Sequence, residues 1–257
     1  MSVVIWTLAR TGGTSLTAAI RELLGRPATL HEPLNPTGDW GATTTRTPDT
    51  GLASVTTEIS RHLRARPIVK HCVEMVPFRI TEGLAEACAV AGYRHIVLIR
   101  LDETARMMSW LLMAATGAAT PDELDALSRD EVETRLARLT KAHFVLAARQ
   151  SRTSIARLNR LKALLESSGT GHLVLAYEDI FRPSRKGMEN PAFRDAMRFL
   201  HIEGPTAPER ATAVERWLVD TRQESNRYYP FMTRHFPEPP TFPAKLDFRI
   251  GEYAGVL

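Results

Sequence analysis

The feature that most constrains this chain is its opening. A short apolar run, Val3-Val4-Ile5-Trp6-Thr7-Leu8, passes through a glycine-containing turn directly into a helical pattern. A β-rich run without polar alternation suits a parallel strand buried on both faces. From Thr14 to Leu24 the residues Leu16, Ile20, Leu23 and Leu24 fall on one helical face, and Gly25 followed by Pro27 stops the helix. Strand, glycine turn and helix together open a βαβ unit, which requires a sheet covered on two sides.

The alternation continues along the chain. Thr29-Leu30 lead into His31-Glu32-Pro33, Leu52 to Leu63 read as a helix, and Pro67-Ile68-Val69-Lys70 as a second strand. A helix around Ile80 to Ala91, the strand His95 to Ile99 and a helix from about Thr104 to Ala115 follow. The strand His172 to Tyr177 then precedes helical segments near Pro191 to Leu200 and Glu209 to Ser225. This order predicts an α/β fold with a mainly parallel central sheet flanked by helices. The 257 residues are read as one domain. Two stretches interrupt the alternation. Residues 35–51, rich in Thr, Gly, Asp and Pro, read as a long loop beside the strand ends. Residues 116–170 read as a helical insertion, in which Glu131 to Ser167 form one broken helix or a hairpin that packs over the sheet or supports a homodimer. The Pro-rich stretch Pro237 to Pro243 is expected to be irregular.

Composition narrows the function classes. The net charge is +4, and 28 of the 33 basic residues are arginine, whose planar fork suits phosphate and sulfate. No basic block or RNA-type aromatic motif points to a nucleic-acid partner. The only cysteines, Cys72 and Cys88, lack the spacing and companions of a zinc site and read as buried thiols of a reducing cytosol. No basic leader precedes the first apolar run, and no apolar run approaches the roughly 18 residues of a membrane span. A soluble cytoplasmic protein, without stable membrane insertion and without a metal, is the expectation.

The turn Arg10-Thr11-Gly12-Gly13-Thr14-Ser15 lies between a buried strand and a helix N-terminus, where backbone N–H groups and the helix dipole favour an anion. Gly12 and Gly13 permit close approach, Thr11, Thr14 and Ser15 offer hydroxyl donors, and Arg10 adds charge. The turn lacks the lysine of a Walker A loop, and the third glycine and later acidic residue of a dinucleotide fingerprint. It resembles the 5′-phosphosulfate loop of sulfotransferases that use 3′-phosphoadenosine 5′-phosphosulfate, a Pro-(Arg/Lys)-(Ser/Thr)-Gly-(Ser/Thr)-(Ser/Thr) pattern. Ala9 and Gly13 depart from it. Arg100 to Trp110, with Arg100 at a strand end and Ser109 in the next helix, is similar to the 3′-phosphate motif of that superfamily, most of all in its bacterial trehalose-type members. Leu101 stands where those members often carry a second arginine, which Arg106 could replace. Leu175-Ala176-Tyr177-Glu178-Asp179-Ile180 with Phe199-Leu200, and His31-Glu32-Pro33-Leu34, resemble two further elements of the same group.

The resemblance spans roughly residues 3 to 200 and implies a P-loop-like three-layer sandwich. It also implies transfer of a sulfuryl group from 3′-phosphoadenosine 5′-phosphosulfate to a hydroxyl of a carbohydrate or small bacterial metabolite, leaving 3′-phosphoadenosine 5′-phosphate. Arg10 and Lys70 would neutralise the transferring group, and Arg100 and Ser109 would hold the 3′-phosphate. Tyr177 would border the adenine, and Glu178 and Asp179 would hold loop backbone or cap a helix. Two candidates remain open for the base. Glu32 lies in the element that carries it in trehalose-type relatives. His71, one position displaced from a Lys-Thr-His element, has an ordinary pKa of about 6.5. Arg222, in Thr221-Arg222-Gln223, is a further 3′-phosphate candidate. Residues 35–51 and 116–170 would shape the acceptor side. A P-loop kinase or nucleotide hydrolase, and a non-catalytic nucleotide-binding protein, stay as alternatives.

Overall fold

The computed structural model describes residues 2–25, 29–46, 51–181, 190–202, 208–218, 227–235 and 253–254. Strand β1 (Val3–Thr7) is wholly buried and runs into helix α1 (Gly13–Leu24). Strand β2 (Thr29–His31), helices α2 (Gly41–Arg46) and α3 (Leu52–His62), strand β3 (Ile68–Cys72), helix α4 (Phe78–Val90) and strand β4 (Arg94–Ile99) follow. Helices α5 (Glu103–Thr116), α6 (Pro121–Asp125), α7 (Arg129–Leu136) and α8 (Lys141–Ser167) precede strand β5 (His172–Ala176). After it come helices α9 (Tyr177–Ile180), α10 (Pro191–Phe199), α11 (Pro208–Trp217) and α12 (Tyr229–His235), and the short strand β6 (Tyr253–Ala254).

The sheet order is β2-β3-β1-β4-β5-β6. The first five strands are parallel and β6 adds an antiparallel edge. Strand alternation sorts the core into two layers. Val4, Trp6, Val69, Val97 and Val174 face α3, α4 and the C-terminal half of α8. Val3, Ile5, Ile68, Ile96, Leu98 and Leu175 face α1, α10 and α11. The fold is therefore an α/β three-layer sandwich. A third cluster, built from Met107, Leu111, Val132, Phe144 and Met232 among others, binds α5, α7 and α12 to the N-terminal half of α8.

Helix ends follow local chemistry. Gly25 closes α1 at φ 59°, donating to the carbonyls of Arg21 and Glu22. Asp102 caps α5 by accepting from the Ala105 amide, and Ser128 opens α7 with a capping box. The helical stretch from Glu131 onward is interrupted: α7 ends at Leu136 and α8 begins after Thr140. The loop expected over residues 35–51 contains helix α2, so that expectation is corrected within 35–46; residues 47–50 lie outside the described ones. Its order comes from tertiary contacts. Trp40 stacks on His62 at 5.0 Å, Thr43 donates to Glu58 at 3.1 Å, and Thr44 donates to the Leu34 carbonyl. Among the described residues no helix is long and apolar enough to cross a membrane.

Two buried histidines make stability depend on pH. His71, hydrogen-bonded to Thr81 at 3.0 Å, is held at about 4 by burial. His95, whose Nδ1 accepts from the Trp6 indole at 3.1 Å, is held at about 3 by burial and by His172. Both are neutral when folded, whereas the unfolded chain takes up protons near pH 6.5. Their contribution is therefore complete above about pH 6.5 and shrinks as pH falls towards the folded values, at up to about 1.4 kcal/mol per pH unit for each histidine. Urea titrations at pH 7, 6 and 5 should show falling stability, and His95→Gln, which keeps an acceptor for Trp6, should flatten that slope by one histidine's share.

Candidate functional site

In an open parallel sheet, ligands bind at the carboxyl ends of the strands where the order reverses. Here β1 has β3 on one side and β4 on the other, and the turns that follow β1 and β4 open onto one cleft of about 590 Å³. Arg10, Gly12, Gly13, Thr14 and Ser15 line it from the first turn, Lys70 from β3, and Arg100 with Ser109 from the second turn and α5. Tyr177, Arg216 and Trp217 line a further wall, and Leu112, Met113 and the stretch 118–124 contribute Ala118, Ala119, Thr120, Asp122 and Leu124.

The first turn is shaped by two left-handed residues, Arg10 at φ 67° and Gly12 at φ 77°. Arginine in that region is strained, at a cost of order 1–3 kcal/mol that its surroundings must offset. They do so through the preceding residue. The Ala9 N–H donates to Glu74 at 2.6 Å, and the Ala9 carbonyl accepts from Arg106 at 3.0 Å. Arg106 is fully buried; it makes two 2.7 Å bonds to Glu103 and approaches Glu74 at 3.7 Å, while Ser151 of α8 donates to Glu103 at 2.5 Å. Arg106 thus braces the turn from beneath and takes no place in the cleft, which corrects its reading as a substitute phosphate ligand.

Beyond the turn, Leu16 N–H closes the first helical bond to Gly12 at 3.0 Å. The preceding amides at the N-terminus of α1 have no acceptor within the helix, the usual arrangement for an anion. Both glycines are sterically required. A Cβ on Gly12 would lie 2.7 Å from Phe181 and 2.8 Å from Tyr177. A Cβ on Gly13 would lie 2.9 Å from Thr7 Cγ2 and 3.2 Å from Lys70 Cε, so glycine here lets the lysine stem cross the helix end. Thr14 and Ser15 face the cleft. Thr11 does not: it is buried, donates to the Leu8 carbonyl at 2.6 Å and pairs with Thr7, so its expected hydroxyl contact with an anion is replaced by an internal brace.

The cations converge. Arg10 Nε donates to Ser109 Oγ at 2.9 Å and Nη1 to the Ala119 carbonyl at 2.6 Å. Burial lowers its pKa, the Tyr229 phenol partly opposing this and Arg100 adding to it. Arg100, 4% exposed, donates to the Arg10 carbonyl at 3.2 Å and lies 4.7 Å over the Tyr177 ring. Glu178 is 4.0 Å away, and the buried Arg100 Nε has no hydrogen-bond partner. Glu178 itself accepts from the amides of Leu101 and Asp102 at 2.9 and 3.1 Å and so holds the β4–α5 turn.

The two base candidates separate. Lys70 and His71 are consecutive in β3 and point to opposite faces: Lys70 registers with Ile5 beside α1, and His71 with Trp6 in the other core layer. His71, 1% exposed, is edge-on to Trp6 and bonded to Thr81, so it does not reach the cleft. Glu32 stands just beyond β2 with φ 52°, its carboxylate 2.5 Å from Lys70 Nζ, 3.0 Å from Cys72 Sγ and 2.8 Å from Asn35 Nδ2. Burial alone would raise its pKa, but the Lys70 charge and the three hydrogen bonds outweigh this and hold it below the ordinary value. Arg222 lies outside the described residues.

Sequence reasoning missed Glu74, Arg216 and Trp217. The last two sit at the end of an amphipathic helix with no motif around them, and Glu74 becomes visible only when it meets Ala9, 65 residues earlier. Because Glu74 and Glu103 depend on one buried cation, Arg106→Ala should destabilise the fold by about 3–5 kcal/mol in urea titrations, the range for an orphaned buried charge.

No family model matches the chain, and neither a curated protein nor a solved structure matches it.

Proposed function

We propose that the protein is a sulfotransferase that moves the sulfuryl group of 3′-phosphoadenosine 5′-phosphosulfate to a hydroxyl of a carbohydrate or another small hydroxylated compound. The observation that carries the reading is a cleft lined by cationic groups from two different turns. One is the turn Gly12 to Ser15 with Lys70; the other is the buried Arg100, whose Nε stands 4.0 Å from Glu178 without a hydrogen bond, beside Ser109 and Tyr177. A nucleotide with phosphate groups on both its 5′ and 3′ sides has that charge pattern. The absence of a loop lysine disfavours a nucleotide kinase.

In this reading the helix N-terminus and Lys70 hold the 5′-phosphosulfate, and Arg100 with Ser109 holds the 3′-phosphate. Arg10 lies between them, within 2.9 Å of Ser109, and can serve either. The exposed indole of Trp217 and the Tyr177 ring flank the space for a base. The acceptor oxygen attacks sulfur as the bond from sulfur to the bridging phosphate oxygen breaks. The leaving phosphate keeps the electron pair, and the hydroxyl proton passes to Glu32. The cations stabilise charge on the leaving phosphate, the chief electrostatic demand of such in-line transfers.

The proposal is tested by calorimetry with 3′-phosphoadenosine 5′-phosphate against ATP, and by transfer of labelled sulfate from the donor to a panel of hydroxyl compounds. Binding of the bisphosphate but not of ATP is expected; tight magnesium-dependent ATP binding with no affinity for the bisphosphate would sink the reading. Arg100→Ala should weaken bisphosphate binding by roughly 10- to 100-fold, the scale of one charge-assisted hydrogen bond. Glu32→Gln should lower transfer about 10²–10⁴-fold while the bisphosphate still binds.

A further inference from the structure

Lys70 is placed to serve two anions. Its ammonium is 2.5 Å from Glu32 Oε1 and 3.4 Å from Thr14 Oγ1, and its stem passes across Gly13 into the mouth of the α1 N-terminus. The Lys70 and Glu32 side chains are 10% and 23% exposed, so the pair is largely screened from water yet open on one side. Glu32 is also one of four non-glycine residues in the left-handed region among the described ones, and that conformation directs its carboxylate back onto β3. A strained carboxylate paired to the lysine that borders the anion turn is an arrangement with a use beyond packing.

We propose that Lys70 is a charge exchanged between Glu32 and an anion in the turn, so that filling the turn removes the ammonium from Glu32 Oε1, leaving only the weak Cys72 Sγ donor there, and lets the carboxylate accept a proton. This rests on the reading of the turn as the donor's phosphosulfate site. As Lys70 pairs with Glu32, the carboxylate is held as a weak base. An anion at the helix N-terminus draws the ammonium away through the flexible stem and adds its own negative charge nearby, and both effects favour the protonated carboxyl. Cys72 Sγ and Asn35 Nδ2 remain bonded to the carboxylate and keep it in place. The other titratable groups around it are His31 on its own strand and His71, which is buried on the far side of β3 and neutral; Arg21 of α1 acts on His31. None of these can substitute for the lysine. Base strength would then appear at Glu32 only when the donor is in place.

The test is the Glu32 carboxyl titration, followed by carbon NMR on glutamate-labelled protein and assigned with Glu32→Gln. It is recorded for the free protein, with 3′-phosphoadenosine 5′-phosphate and with inorganic pyrophosphate. The expected result is a pKa below the usual glutamate value in the free protein and a rise of at least one unit with the bisphosphate. In Lys70→Met, which keeps the length of the stem, the free protein should already titrate near the liganded value. Glu32→Gln, which removes the competitor for Lys70, should bind the bisphosphate more tightly than the wild type. A Glu32 pKa that stays put or falls on saturation with the bisphosphate would overturn the exchange while leaving the donor site intact. A rise produced by pyrophosphate, in a protein that does not bind the bisphosphate, would support the exchange and overturn the nucleotide reading. Binding of neither anion would overturn both.

Discussion

The cleft depends on how one buried strand ends. β1 lies at the centre of the sheet with no solvent contact, so the turn that follows it must satisfy its own backbone groups within the protein. Glu74 and Arg106 do this for Ala9, one taking its N–H and the other supplying its carbonyl with a donor. Charge-assisted bonds of this kind are strong enough to hold Arg10 in a conformation that arginine avoids. Arg106 is in turn neutralised by Glu103, and Ser151 ties that carboxylate to α8. The long helix across the sheet and the turn between β1 and α1 are therefore parts of one mechanical unit.

Above that brace the electrostatics are lopsided. Arg10, Lys70, Arg100 and Arg216 all border the same cleft. Asp122 borders it too, and two nearby carboxylates are engaged: Glu178 by the backbone amides of the β4–α5 turn and, at 4.0 Å, by Arg100, Glu32 by Lys70, Cys72 and Asn35. Arg216 is exposed, but the half-buried Arg10 lies close enough to the buried Arg100 for burial and that like charge together to lower its pKa. The buried Arg100 Nε makes no hydrogen bond and meets Glu178 only at 4.0 Å.

Much of this was legible in the chain. The apolar runs and their spacing identify β1, β3, β4 and β5, the parallel sheet, and the position of the turn at a helix N-terminus, because burial on both faces leaves few alternatives to a covered parallel sheet. The same alternation, applied more strictly, separates Lys70 from His71: neighbours on a strand cannot both face one cleft. The helix α2 and the packing of Trp40 on His62 were not legible, since a threonine-rich segment carries no helical signal of its own.

The sequence by itself determined the order of elements and the chemistry available at the turn, because periodicity and glycine placement act locally. Only the tertiary structure decided which polar groups work and which merely support. Thr11 turns inward, Arg106 goes beneath the turn, and Gly13 is glycine so that Lys70 can cross above it. Each of those outcomes depends on atoms brought together from segments tens of residues apart, and no local pattern encodes such a meeting.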